Sequence, residues 1–326
     1  MRLTRRGYGL VGVVVGAELL ALTYGGRALN AVAAPLLIAL VAAAVTVYRD
    51  ESPTVDRTSV PPGFPDDTRT VTVEVTGSGV VRLADALPAG VAGRATAETT
   101  LPTTFTYDVT LEERGQHELG PLDVQVTDVL GLVTNSVETH GTTSVLVYPP
   151  VSALAGQKTV LSDAVDRNAV ERQEFESVRE YAPGDPLRDV HWKSTAKDPG
   201  EMYVAEFADS TTEEKVVLAA SSTPNHADEM AAAAASVAVM AIDAGVDVEL
   251  RTASGVVEGS GSGGRDRILR HLAVADGGHV PDDDDTDARV VADSDGVTLT
   301  VGSRDHEFAE LTVDRVDPFE AAGVSA

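Results

Sequence analysis

The residues whose types and spacing offer chemistry cluster between Glu174 and Lys197. Arg179, Tyr181, Pro183, Gly184, Asp185, Arg188, His191, Trp192 and Lys197 fall in this window, and Trp192 is the only tryptophan of the chain. Pro183-Gly184-Asp185 is turn chemistry, because proline presets φ and an Asp side chain accepts from nearby backbone N–H groups. Arg188 and Trp192 are four apart, a spacing that puts both on one side of a helix or tight turn. A guanidinium lying over an indole is worth about 0.5–2 kcal/mol, depending on burial. Asp185 and Glu180 are the carboxylates placed to pair with Arg179 and Arg188. Two uses fit these residues: a latch between folded parts of the chain, or an exposed face on which another protein docks, since Arg and Trp often anchor interfaces.

Three other patterns carry less chemistry. Gly259-Ser-Gly261-Ser-Gly-Gly264 has the spacing of a dinucleotide loop and precedes a helical pattern. Such a loop normally follows the first strand of its fold, whereas this one follows at least two, so a flexible Gly/Ser connector is the expectation. The acidic run 282–285, extended by Asp276 and Asp287, reads as a solvated loop, because like charges repel and no EF-hand spacing is present. The seven His are scattered, with no His-x-x-x-His pair and no Gly-x-Ser-x-Gly elbow. No catalytic residue, metal ligand set or cofactor site emerges, and the expectation is a protein that is not an enzyme. A nucleotide-dependent enzyme using the glycine loop is the alternative of opposite class.

Composition narrows the partners. The 326 residues carry 51 Asp+Glu against 25 Lys+Arg, a formal charge of -26, and Lys occurs only at 158, 193, 197 and 215. Such a surface is suited to high salt and points to a halophilic origin. It repels phosphate backbones, which argues against nucleic acid as a partner, and leaves room only for a local basic patch. With no Cys there is neither a disulfide nor a thiolate site.

The elements that must position these residues fall into four segments. Residues 1–50 hold two apolar runs, Gly7 to Tyr24 and Ala31 to Tyr48, each about 18 residues and about 27 Å long as helix, near the hydrocarbon thickness of a bilayer. A hairpin crossing the membrane twice through residues 7–48 is expected. Arg2, Arg5, Arg6 and Arg49 flank it and only Arg27 lies in its turn, which keeps both ends in the cytoplasm by the positive-inside bias. Gly12 with Gly16 and Ala39 with Ala43 would let the two helices approach closely. Glu18 is the one carboxylate in the spans, placed to reach the outer interface or to pair with Arg27. Residues 51–150 read as a linker over Ser52 to Pro65 and then a β-sandwich of Ig-like size. The period-two alternation of Val71, Val73, Val75, of Phe105, Tyr107, Val109, Leu111 and of Val124, Val126 supports it. Residues 151–210 contain the signature window. Residues 211–326 alternate strands and helices, implying an α/β unit with a mainly parallel sheet.

The pattern Arg179-x-Tyr181-x-Pro183-Gly184-Asp185-x-x-Arg188-x-x-His191-Trp192-x-x-Thr195-Ala196-Lys197 resembles the signature of the domain-of-unknown-function 58 family. Gly115-x-x-x-Leu119-Gly120-Pro121 and Asp128-x-x-Gly131-Leu132 also resemble the family's region upstream, where glycines supply positive φ at strand ends. The resemblance implies a membrane-anchored protein working with a MoxR-type AAA+ ATPase, with a von Willebrand factor A-type domain at residues 211–326. Type-A domains hold a cation with Asp-x-Ser-x-Ser at the end of their first strand, using oxygen ligands that Mg²⁺ accepts. Here Ala220-Ser221-Ser222-Thr223 stands at that place without the acid, so the domain is expected to be degenerate and metal-free. Lys197 stands where the family more often has Arg. The expected function is a non-catalytic scaffold or adaptor presenting an unidentified client at the membrane. An adhesion module lying outside the cell is a further alternative.

Overall fold

The computed structural model describes residues 1–24, 27–49, 53–139, 141–155, 175–180, 203–207, 215–281, 283 and 285–319. The chain divides into two compact units, Met1–Tyr148 and Pro149–Ala326.

The first unit opens with β1 (Arg2–Leu3), α1 (Arg5–Tyr24) and α2 (Arg27–Arg49). Both helices contain a stretch long and apolar enough to cross a membrane, Arg5–Thr23 with mean hydropathy 1.3 and Ala31–Tyr48 with 2.3. Much of their apolar surface is uncovered: Val15, Leu19, Leu22, Leu37, Ile38 and Val41 are all exposed. Glu18 is exposed on α1 as well. The expected close approach through Gly12 and Gly16 does not occur, since a Cβ built on either meets nothing within 4 Å. Ala17 of α1 and Ala33 of α2 are buried instead.

That rest is a β body. Its strands are β2 (Thr54–Arg57), β3 (Thr68–Thr76), β4 (Val80–Asp85), β5 (Val91–Gly93), β6 (Thr96–Thr100), β7 (Thr103–Leu111), β8 (Gly115–Leu119), β9 (Leu122–Thr127), β10 (Val133–Thr139) and β11 (Thr143–Val147). One sheet runs β1-β10-β9-β4-β6 and another β2-β3-β7-β5, with β11-β8 as a separate pair. All these pairings are antiparallel. Alternating residues of both sheets meet in one core that includes Val71, Val73, Leu83, Tyr107, Leu111, Val124 and Val147, the half-buried pattern read from the sequence. The linker expected over Ser52 to Pro65 is corrected: Thr54–Arg57 pairs with β3, and Val60 and Phe64 are buried. Proline and acidic residues suggest a linker, but Thr-Val-Asp-Arg alternates as a strand and its Arg57 finds a buried partner. Gly115, Gly120 and Gly131 take φ of 138°, 104° and 69°, the backbone role expected of them.

The second unit contains β12 (Val151–Leu154), β13 (Phe175–Glu180), β14 (Tyr203–Phe207), β15 (Lys215–Ser222), α3 (Ala227–Asp243), β16 (Asp247–Thr252) and β17 (Gly255–Gly259). These are followed by α4 (Gly261–Val274), β18 (Ala288–Asp293), β19 (Gly296–Val301), β20 (Arg304–Glu307), α5 (Phe308–Leu311) and β21 (Thr312–Val316). Six strands form a sheet in the order β17-β16-β15-β18-β19-β20. The mainly parallel sheet expected here is corrected to a mixed one. Only β15 with β16 and β15 with β18 run parallel, while β16–β17, β18–β19 and β19–β20 are antiparallel. Connections such as Ala253-Ser254 and Ser294-Asp295 are too short for a crossover and can only return the chain as hairpins. α3 is buried almost all round, its Ala residues admitting close neighbours, and it touches β12, β15, β16, β18 and α4.

Candidate functional site

In an open sheet with a parallel centre, ligands bind beyond the carboxyl ends of the strands where the chain order switches direction. Here that point is the end of β15, flanked by β16 on one side and β18 on the other. It presents Ser221, Ser222 and Thr223, the place at which the sequence lacks an acid. The segment Gly277–Val280 lies across it. Ser222 N–H donates to Gly278 O at 2.8 Å, and Val280 N–H donates to Ser221 Oγ at 3.0 Å. A Cβ on Gly277 would sit 3.0 Å from both Ser222 Oγ and Thr223 O, and one on Gly278 would sit 2.5 Å from Ala253 Cβ. Those two glycines thus let the chain close over its own strand ends. Beside them, Thr223 Oγ1 and His226 Nδ1 are 2.8 Å apart, and Thr252 Oγ1 and His271 Nε2 also 2.8 Å. Burial lowers the pKa of His271. The hydroxyls and imidazoles in this arrangement lack the carboxylate oxygens that a hard cation needs. Among the described residues no three His, Asp or Glu are grouped to hold a metal.

The glycine-rich run is not a free connector. α4 starts within it, at Gly261, and a Cβ on Gly259 would lie 2.6 Å from Ile268 Cδ1 and 2.8 Å from Gly264 O. Gly259 and Gly264 are therefore needed for close packing of β17 on α4. The strand before the loop is antiparallel to β16 and at the sheet edge, unlike the parallel strand-to-helix unit on which a dinucleotide loop depends.

The acidic run divides. Asp283 is half exposed and pairs with Arg251 at 3.0 Å, within a surface chain that continues through Glu249 to Lys215. Asp287, expected to be solvated, is buried and accepts the Val217 N–H at 2.8 Å. Its correction has a plain cause: it immediately precedes β18 and meets a backbone donor that the parallel ladder leaves over.

Of the signature residues, Arg179 lies on β13 opposite Val204, and Glu180 opposite Tyr203 of β14. Those antiparallel strands bring the two ends of segment 181–202 together. Tyr181, Gly184, Asp185, Arg188, Trp192 and Lys197 lie outside the described residues.

Two charged groups in the first unit escaped the sequence reading. Arg57 on β2 reaches Asp85 on β4 with a two-pronged contact of 2.6 and 2.7 Å, and both side chains are almost wholly buried, at 4% and 0% exposure. Arg57 Nε also donates to Gly141 O at 2.6 Å, and Tyr107 donates its hydroxyl to the same carboxylate. Burial alone would lower the Arg57 pKa, but the hydrogen bonds and charge of Asp85 raise it overall. The Tyr107 pKa rises through burial first and Asp85 second. The other group is Asp128, itself 6% exposed, which accepts from the N–H groups of Leu130 (2.9 Å), Leu132 (2.6 Å) and Val133 (2.7 Å). No sequence spacing marks the first pair, whereas the Asp128-x-x-Gly131 turn was visible without its burial.

Residues 177–298 match the family model described as protein of unknown function DUF58. That stretch carries the resemblance read from the signature, and it runs from within β13 to the middle of β19. No curated protein matches the chain. Among solved structures the chain is similar to the PKD domain of an M14-like peptidase from Thermoplasmatales archaeon SCGC AB-540-F20, at 13% identity over 29% of this chain and 91% of that one, TM-score 0.19. It is also similar to the E. coli chaperone DraB, at 12% identity over 41% and 66%, TM-score 0.22. A third is WR4, a C. elegans MSP family member, at 5% identity over 27% and 91%, TM-score 0.21.

Proposed function

We propose that this protein is a membrane-anchored, non-catalytic scaffold or adaptor that presents a client to a MoxR-type AAA+ ATPase, with both compact units in the cytoplasm. The observation that carries the reading is the pair of uncovered apolar helices at the N-terminus, in a chain where the end of β15 is closed over by residues 277–280. The anchor supplies a place, and the closed strand end leaves binding surfaces rather than reactive groups. In this reading the second unit is a von Willebrand factor A-like domain that has lost its metal site. The acidic surface keeps it hydrated in a halophilic cytoplasm.

The signature residues Arg179, Tyr181, Gly184, Asp185, Arg188, Trp192 and Lys197 then form the docking face or brace it. Co-purification from native membranes in high salt tests the proposal. The wild-type protein is expected to retain a MoxR-type ATPase, and Arg188→Ala and Trp192→Ala to lose it while still folding. Loss of folding in both variants would assign the segment to a latch. Protease digestion of intact cells that removes residues beyond 50 would sink the cytoplasmic placement.

A further inference from the structure

The turn that Asp128 holds carries the most exposed large apolar side chain of the β body, Val129 at 85%, next to Leu130 at 56%. Its surroundings explain why two such residues stand out there. Thr4 precedes α1, takes the Gly7 N–H on its hydroxyl at 3.1 Å, and donates that hydroxyl to Gly131 O at 2.6 Å. A Cβ on Gly7 would lie 2.2 Å from Leu132 O, so the turn touches the first helical turn of the hairpin. Leu132 and Val133 are buried with Ala43 and Val47 of α2, and Leu3, Leu10 and Leu40 pack against the same cluster. The turn is thereby fixed at the level of Tyr8 and Tyr48, both exposed. Tyrosines at matching ends of two spans mark the headgroup level of a bilayer.

Charge agrees with that depth. Arg2, Arg5 and Arg6 are exposed at this same end, and a Cβ on Gly131 would lie 3.7 Å from Arg6 Nη1. In a chain of net charge -26 this is a local basic cluster beside an apolar tip. Basic residues flanking apolar ones suit an anionic lipid interface, where apolar side chains leave water and cations meet headgroups.

We propose that the tip Val129–Leu130 inserts into the headgroup region of the bilayer, a third membrane contact that fixes the β body against the lipid surface. The proposal rests on the reading of α1 and α2 as a spanning hairpin and holds for either orientation of that hairpin. Buried Asp128 holds the backbone of the turn through the N–H groups of Leu130, Leu132 and Val133, on which Val129 and Leu130 stand exposed.

The absence of native Cys permits single-cysteine variants, each at an exposed side chain: Leu130→Cys, Val15→Cys within α1, and Glu98→Cys on β6 as a distant control. Each is labelled with an environment-sensitive fluorophore and reconstituted in vesicles of equal parts phosphatidylcholine and phosphatidylglycerol. The label at position 130 is expected to shift its emission to the blue, to be quenched by lipids carrying a nitroxide near the headgroup, and to be several-fold less accessible to iodide than the label at 98. Deep-nitroxide quenching at position 15 reports the span independently. Iodide access at 130 equal to that at 98, with 15 still protected, overturns the inserted tip and leaves it a surface for a protein. Iodide access at 15 as well overturns the hairpin and the tip together.

Discussion

The buried carboxylates of the first unit and the strand-end hydroxyls of the second are both polar groups taken out of water, yet they are satisfied to very different degrees. Asp128 takes three N–H donors, and Asp85 takes a guanidinium and a phenol. Ser221 takes one N–H, and Ser222 Oγ is buried with no partner. The first unit therefore buries an ion pair and satisfies it, while the second buries the lone carboxylate of Asp287 on a backbone N–H and holds its chain of paired charges, Lys215–Glu249–Arg251–Asp283, partly open to water. An ion taken out of water stabilises only when nearly every lone pair is matched, so such sites are rigid and insensitive to salt. Surface pairs are screened. Orienting charges that must work at any salt level are therefore best placed inside.

The sharpest way to break the comparison is Arg57→Ala. It leaves the Asp85 carboxylate buried without its cation, and a loss of about 3–5 kcal/mol is expected. Urea unfolding of the wild type and variant, at low and high potassium chloride, reads it. A loss below about 1 kcal/mol, the range of exposed pairs, would mean that Asp85 is reached by water and that the two units do not differ. Replacing both partners, Arg57→Met with Asp85→Leu, should recover most of the loss, because the cost lies in the orphaned charge rather than in the missing bond.

Next in size is Asp128→Ala, which strands three N–H groups, two of them on the buried residues Leu132 and Val133. About 3 kcal/mol is expected from the unmet donors, with Asp128→Asn losing about 1 kcal/mol because its amide oxygen still accepts but without charge. The same unfolding experiment orders the variants. Hydrogen exchange at Leu132 and Val133 should quicken in the alanine variant and leave β15 unchanged.

These two sites also mark where legibility ended. The alternation of Val71, Val73 and Val75, the apolar lengths of α1 and α2, and the Ala-rich period of α3 were readable because each is a local pattern repeated on one element. The Arg57–Asp85 pair was not, since it joins residues from different sheets at a spacing that no motif prescribes. Strand direction in the second unit departs from the expected parallel run for a related reason: strand and helix periods tell what each segment is, while the return through Ser294-Asp295-Gly296 depends on one short turn. Asp287 looked solvated in a run of acids, and only the ladder beside it explains its burial. At the signature, the sequence supplied residue types and the structure supplies the pairing of β13 with β14 that brings the ends together.

A smaller effect should come from the surface chain. The Glu249 pKa is lowered, chiefly by the hydrogen bond from Lys215, against a raising effect of burial and with help from Arg251. Because the folded value lies below the unfolded one, the stabilisation is complete above the ordinary carboxylate range and is lost as pH falls through the folded value. Glu249→Gln should cost about 0.5–1 kcal/mol at neutral pH in low salt, nothing once the pH is low enough to protonate the wild-type carboxyl, and less in concentrated salt. Thermal melts from neutral to acid pH at two salt levels test all three. A cost that ignores salt would place Glu249 with the buried charges.

The smallest expected change has the opposite sign. Ser222 Oγ lies against Gly277 with no hydrogen bond of its own, so the folded protein forgoes what that hydroxyl makes with water. Ser222→Ala removes the unmet group without opening much space, and a gain of about 0.5–1 kcal/mol is expected. Ser221→Ala, which strips the acceptor from Val280 N–H, should instead cost about 1 kcal/mol. Opposite signs at adjacent serines would confirm that Ser221 Oγ holds the covering segment through Val280 N–H while Ser222 Oγ holds nothing. A destabilised Ser222→Ala would mean that the hydroxyl has a partner in solution, and a calorimetric Mg²⁺ titration of wild type against Ser222→Ala then asks whether that partner is a cation.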